Sequence, residues 1–339
     1  MAPLKAPGPD GMPPIFFQHF WPLVGDDVTA TILQFLNTAI FPCHLNHTFI
    51  SLIPKVKNPE LVSEFRPISL CNILYKIFSK ILANRLKQVL PTLIMEHQSA
   101  FTKSHLISNN VLIAFESLHS IHNHKSKKDG YMAVKLDMSK AYDRTEWSFV
   151  EAVMRRMGFI ERWIQLIMVG VKTVSYSILV NGEPKGMIKP THGIRQGDPL
   201  FPFLFLLCTE GLHGLFSQAA GQGEIHGYSL CKNGPKLTHL FFVDDSLLFC
   251  KSTPQECDKV LELLNTYSKY SGQQINKSKT TIFFSKSTTL ERKQYIKNAL
   301  GVPEIRSYEK YLGLPSLIGR RKKTSFEYIK ERVWKKLQG

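Results

Sequence analysis

Between Asn72 and Pro91 the apolar residues fall at 73, 74, 77, 78, 81, 82, 86, 89 and 90. That is the spacing of one helical face, and it predicts a helix that stops at the proline. A helical pattern also covers 15 to 40, with a break near Pro22 and Asp26 and Asp27 placed to start a second helix. Further helices are predicted over 107–121, 145–157, 161–171, 199–219 and 254–270. TFISLIPKV (48–56) and RPISL (66–70) are β-rich pieces separated by a polar loop. YMAVKL (131–136) reads as a strand ending at Asp137, and Asn181-Gly182 as the turn of a hairpin. Strands at 230–231 and 237–243, joined by KNGP, and at 247–251 and 280–284 complete the pattern. Strands in hairpins with helices grouped between them predict an α+β fold.

One stretch breaks the pattern. In THLFFVDDSLLFCKS (238–252), Asp244 and Asp245 stand side by side inside an apolar run. Burying a charge is costly unless it is paired or holds a metal. A hairpin tip in water is one answer, since Asp is a common turn residue. The other is that Asp137 joins them, if the two strands are neighbours in one sheet. Three carboxylates would suit a hard ion such as Mg²⁺. Two such ions about 4 Å apart can stabilise both the attacking and the leaving oxygen in phosphoryl transfer.

Charge changes the picture next. The 339 residues carry +16, and from Lys269 to Gly339 there are 17 Lys/Arg against 5 Glu and no Asp. A basic end on a globular chain points to a polyanion, either nucleic acid or an anionic membrane, or else to a solvated helical face. The hydrophobic content of 43% is that of a globular protein of one large domain or two ordinary ones. Six scattered cysteines without metal-ligand spacing read as free thiols in a reducing compartment. The N-terminus has no apolar signal segment, and the most apolar stretch, 199–208, is too short to span a bilayer. The expectation is a soluble intracellular protein, nuclear or cytoplasmic, with no membrane partner. No phosphate-binding P-loop and no G-x-G-x-x-G are present, which argues against P-loop and Rossmann enzymes.

The motifs around the acids carry a resemblance. YMAVKLDMSKAYDRTEW (131–147), GIRQGDPLFPFLFLLCTEGL (193–212), FVDDSLLF (242–249), SGQQINKSKT (271–280) and KYLGLP (310–315) occur in the order found in reverse transcriptases. Upstream, PGPDG (7–11), LIPKVKNP (52–59), FRPISLCNILYKIFSKILANRL (65–86) and HQSAF (97–101) extend it over nearly the whole chain. The chain resembles the polymerase of LINE-type, non-LTR retrotransposons, particularly plant ones. The resemblance implies a right-hand polymerase fold with an antiparallel palm sheet, fingers and a truncated thumb. Its implied boundaries are 1–35 for an N-terminal extension and 36–315 for the polymerase domain, with fingers to about 130 and palm from 131. Residues 316–339 would begin the thumb.

The same resemblance implies an RNA-directed DNA polymerase that uses an RNA template, a DNA primer and dNTPs. Asp137, Asp244 and Asp245 would hold two Mg²⁺ ions, with Mn²⁺ as an alternative. Tyr142 matches the aromatic that packs under the incoming sugar, unless it is a core tyrosine. Arg195, Gln196 and Gly197 lie where the family contacts nucleotide and template. Lys55 or Lys57 and Arg66 match basic positions for the triphosphate, and Lys279 a lysine that protonates the leaving pyrophosphate. Each basic side chain could equally be solvated. The tail, with RRKK at 320–323, would follow the nucleic-acid backbone.

Two acids are expected to be structural. Asp143 stands three residues before Glu146, a capping-box spacing, and Asp198 before Pro199 suits an N-cap. Phe201 departs from the family's small serine and is expected to crowd the nucleotide pocket, and Val243 stands where alanine is commoner. Full-length relatives carry an endonuclease before this region and often further segments after it. The alternative expectation is therefore a catalytically silent fragment that only binds nucleic acid.

Overall fold

A computed structural model describes residues 1–95, 98, 106–125, 130–243, 245–305, 310–312, 314–315 and 322–338. In chain order the elements are α1 (Pro14–His19), α2 (Trp21–Thr38), β1 (His47–Pro54), β2 (Phe65–Cys71), α3 (Ile73–Leu93), α4 (Ile107–Asn123) and β3 (Tyr131–Asp137). Next come α5 (Trp147–Arg156), α6 (Glu161–Lys172), β4 (Ser175–Val180), β5 (Glu183–Ile188), α7 (Phe201–Gly221), β6 (His239–Phe242) and β7 (Asp245–Lys251). The last are α8 (Pro254–Ser271), β8 (Thr281–Phe284), α9 (Leu290–Leu300), β9 (Lys310–Tyr311), β10 (Leu314–Pro315) and α10 (Lys322–Leu337). The architecture is α+β, as the pattern predicts.

The chain divides into two compact units, both discontinuous. The first comprises Met1–Ile94, Lys140–Thr209 and Tyr270–Gln273, and the second Met95–Ser139, Glu210–Lys269 and Gln274–Gly339. In the first, the strands are ordered β2-β1-β4-β5. β1 pairs antiparallel with β2 and parallel with β4, and β5 closes the edge against β4. α3 supplies much of this unit's core. Tyr75, Phe78, Leu82 and Leu86 are all at most 2% exposed, and Phe41 packs on both Tyr75 and Phe78.

In the second unit the order is β6-β7-β3-β8, antiparallel throughout. One face is covered by a cluster in which Ala114, Leu118 and Ile121 of α4 meet Ala133, Leu240, Leu247, Phe249 and Tyr311. Alternate residues of a strand share a face. This cluster therefore lies on the face that ends, toward the C-terminus of β3, at Asp137.

The structure moves several expected boundaries. α2 begins before Pro22, which sits in its first turn, where the missing N–H costs nothing. α3 carries Pro91 in its last turn and ends at Leu93 instead of stopping at the proline. The 230–231 segment is not a strand. Its neighbour Tyr228 forms a single bridge with Leu237. α7 starts at Phe201, two residues after Pro199. α9 was not legible because only Ile296 and Leu300 are buried. Its signals are the caps, with Thr289 accepting from Arg292 N and Gly301 in a left-handed conformation. Among the described residues no helix is long and apolar enough to cross a membrane.

Candidate active site

The acidic edge belongs to the second unit. β3 and β7 are hydrogen-bonded neighbours, the condition the sequence required, and Asp137 pairs directly with Asp245 at the end of their ladder. Residues directly opposite in an antiparallel pair point to the same face with Cβ atoms about 5 Å apart. Both acids are half-buried. Two carboxylates placed this way are near enough for one cation to meet both. Asp244 lies outside the described residues. Phe242 pairs with Asp245, so residues 243 and 244 form the whole connection between β6 and β7. Val243 there has φ +56°, a conformation rare for a β-branched residue.

The backbone of Asp137 is fixed on its other side. Its N–H donates to Thr280 Oγ1 at 3.2 Å, and its carbonyl accepts from Asn276 N at 2.8 Å. Thr280 is buried, and the next residue back, Lys279, is exposed in the turn before β8. β8 pairs with β3 as far as Lys135–Thr281, so the 276–280 turn and Asp137 share one end of the sheet. Among the described residues no three His, Cys, Asp or Glu side chains converge. The two facing carboxylates offer the oxygen donors a hard divalent ion prefers.

The other predicted site residues belong to the first unit. Gln196 is half-buried, and its carbonyl accepts from Ser69 N of β2 at 3.1 Å. It lines a cavity of about 340 Å³ with Pro67, Ser69, Asp143 and Tyr176. Gly197, with φ +105°, lines a second cavity of about 900 Å³ with Ile68, Leu70, Lys76, Lys80 and Pro199. Tyr142 is half-buried, its ring 5.0 Å from that of Phe205 at 35°. Arg66 is exposed on β2 opposite Ile53. Lys55 is also exposed, and its Nζ donates to Ser63 O at 2.8 Å.

Arg195 departs from the expectation that the whole Arg-Gln-Gly stretch contacts nucleotide and template. The three residues precede α7, and Arg195 turns inward to 3% exposure. Its guanidinium donates to Thr48 Oγ1 (3.1 Å), Asn46 Oδ1 (2.6 Å) and Gly170 O (2.6 Å). It also stacks over the Tyr75 ring at 3.9 Å. Burial pulls its pKa down, but the neighbouring acidic groups Tyr75, Cys71 and Asp198 more than offset this and hold it above the ordinary arginine value. The Phe201 ring lies 5.6 Å from the same guanidinium and is 1% exposed. It packs in the core beside Arg195.

Both structural acids are also repositioned. Asp198 Oδ1 accepts from Leu200 N at 2.8 Å and from Ser79 Oγ, tying the entry of α7 to α3. It is not the cap residue, because α7 begins further on. The position preceding α5 is Glu146, and no side-chain cap bond forms there, so Asp143 closes no capping box.

The reverse transcriptase (RNA-dependent DNA polymerase) family matches residues 53–329. The chain is 25% identical over 326 residues, 91% of its length, to the Pol polyprotein of the R2DM retrotransposable element of Drosophila melanogaster. It is 25% identical over 279 residues to the transposon TX1 149 kDa protein of Xenopus laevis, covering 82% of this chain. An uncharacterised mitochondrial protein of Arabidopsis thaliana is 48% identical over 68 residues, 20% of this chain and 56% of its own. The chain spans 28% of the Drosophila polyprotein and 20% of the Xenopus protein. In fold it is similar to a Candida tropicalis telomerase solved without its C-terminal domain, with TM-score 0.52 and 15% identity over 81% of this chain and 54% of that one.

Proposed function

From the premise that the chain belongs to the reverse transcriptase (RNA-dependent DNA polymerase) family, we propose that it extends a DNA primer on an RNA template as the polymerase of a non-LTR retrotransposon. The observation that carries the reading is the direct pairing of Asp137 with Asp245 at a sheet end. In this reading Asp137, Asp244 and Asp245 hold two Mg²⁺ ions, or Mn²⁺ in their place. When bound, the ions supply the Lewis acidity for attack of the primer 3′-OH on the α-phosphorus of a dNTP.

The chain's own residues take the remaining roles. Tyr142 presents its ring to the sugar and rejects a 2′-OH, the group that separates ribo- from deoxyribonucleotides. Gln196 and Gly197 contact nucleotide and template, and Arg66 meets the triphosphate. Lys279 donates a proton from Nζ to the leaving pyrophosphate. The basic C-terminal end neutralises backbone phosphates, which makes binding weaken steeply with salt. A nuclear or cytoplasmic location is part of the proposal, supported by six scattered cysteines that read as free thiols of a reducing compartment. The silent-fragment alternative drew on Phe201, whose ring is buried beside Arg195, and the presence or absence of primer extension decides between the two readings.

The test is primer extension on an RNA template with Mg²⁺. Asp137→Asn and Asp244→Asn should each lower extension about 10³-fold while template binding stays the same, since the carboxylates act on charge that develops in the reaction. Wild-type protein as inert as either variant would sink the proposal.

A further inference from the structure

The turn that carries Tyr142 is gripped from two directions within the first unit. From one, Ile194 N donates to Tyr142 O and Gly193 N to Thr145 O, both at 2.8 Å. From the other comes the short segment 271–273. Ser271 O accepts from Glu146 N at 3.0 Å. Gln273 Nε2 donates to Ala141 O at 2.6 Å and to Thr145 Oγ1 at 3.1 Å. The Thr145 hydroxyl in turn donates to Ala141 O at 3.1 Å. The amide of Gln273 thus closes a three-way link across the turn, one residue on the near side of Tyr142 and three on the far side.

Two features argue that this grip is more than filling. Gln273 is 2% exposed, and its Oε1 has no hydrogen-bond partner among the described residues. An unsatisfied buried acceptor costs about 1 to 3 kcal/mol, so a glutamine here loses on one end what it gains on the other. An apolar side chain of similar length would avoid that cost, but it would lose the two donor bonds to the turn. The approach also depends on the residue before it. Gly272 has φ +75°, and a Cβ there would meet Arg144 O at 2.2 Å, so the segment reaches the turn only because position 272 has no side chain.

We infer that Gln273 is a positioning residue for sugar selection: its amide fixes the 141–145 turn, and through it the distance at which the Tyr142 ring stands from the nucleotide sugar. The inference rests on the role proposed for Tyr142. A steric gate works by contact, so a ring set back by a fraction of an ångström admits the extra hydroxyl. Loosening the turn lets ribonucleotides in and leaves the deoxynucleotide reaction nearly untouched.

The experiment uses the full chain with Gln273→Met, which keeps the length and removes the donors. Gln273→Asn, which withdraws the amide by one methylene, is the second variant should the first not fold. Hydrogen exchange read by mass spectrometry should speed up across residues 140–146 and stay at wild-type rates in β1 and β2. The ratio of kcat/KM for dCTP over CTP on an RNA template should fall about 10-fold. The change should appear in KM for CTP, with kcat for dCTP within about twofold of wild type. Tyr142→Val should lower the ratio further, and adding Gln273→Met to it should change nothing more. Unchanged exchange in 140–146 overturns the inference, and so does faster exchange with an unchanged ratio while Tyr142→Val lowers it. If Tyr142→Val itself leaves the ratio at the wild-type value, the gate reading has failed and takes the selectivity role of Gln273 with it.

Discussion

Two hairpins with two-residue connections follow opposite rules. β4 and β5 are joined by Asn181-Gly182, both left-handed at φ +53° and +84°, both exposed, and both of residue types that tolerate that conformation. β6 and β7 are joined through Val243, left-handed at φ +56°, with the acidic pair following. A β-branched residue pays about 1 to 2 kcal/mol there. The solvent-facing turn is relaxed, and the turn beside the facing carboxylates is strained. Strain of this kind persists where surrounding structure over-determines it, and it clusters at functional sites. The two units carry the contrast inward: a buried cation pins the sheet of the first, while an apolar cluster covers that of the second.

Removing the cation is the largest perturbation. Arg195→Met should destabilise the protein by on the order of 4 kcal/mol, because it strands the Asn46 Oδ1 acceptor in a dry interior, leaves Asp198 without its nearby cation and takes one donor each from Thr48 Oγ1 and Gly170 O. Arg195→Lys should recover less than half of that, since an ammonium lacks the fork that reaches several acceptors at once. Urea unfolding measures both. If Arg195→Met costs under about 1 kcal/mol, the first sheet is held by packing like the second, and the inward contrast disappears.

Why this hub escaped the sequence is physical. Arg195 meets Gly170 across 25 residues and Asn46 across 149, and no local pattern records partners so far apart. The acidic edge was legible for the opposite reason. A strand that ends on Asp137 and a hairpin that carries Asp245 need only one pairing to meet, and the motif order supplied the expectation of that pairing. The register was not readable, yet it decides that Asp137 faces Asp245. Polar helices such as α9 escaped because two buried residues make no periodicity.

The next prediction concerns the second unit's interior. Glu210 on α7 is 9% exposed, and burial pushes its carboxyl up to about 7 despite a bond from Met95 N. In the unfolded chain it ionises near its ordinary value of 4.5. Its raised value therefore favours the folded state at low pH. That contribution is lost as pH rises from about 4.5 to about 7, a span worth about 3 kcal/mol. Glu210→Gln should leave stability at pH 4 nearly unchanged and raise it at pH 8. Melting temperature against pH reads this directly, and parallel curves for the two proteins would show that Glu210 does not titrate differently on folding.

Lys279 tests whether the sheet end beside Asp137 extends to proton transfer. Lys279→Met should lower the rate of nucleotide addition about 10²-fold, as loss of a general acid does, with primer and template affinity preserved. Single-turnover extension separates the two. An equal loss in binding and a normal rate would make Lys279 a phosphate contact, and the chemistry would then be left to the carboxylates alone.

The smallest expected effect measures the strain on which the hairpin contrast stands. Asn181 and Val243 share nearly the same φ, 53° and 56°. Asn181→Val therefore transplants the residue of the strained turn into the relaxed one. Asn181 is exposed, so neither lost packing nor a buried amide complicates the reading. The substitution should cost about 1 kcal/mol in urea unfolding, the price of a β-branched side chain in that conformation. Primer extension should not change. A cost below about 0.3 kcal/mol would mean that a two-residue turn holds valine without strain, and the β6–β7 connection would then differ from the β4–β5 one in charge alone.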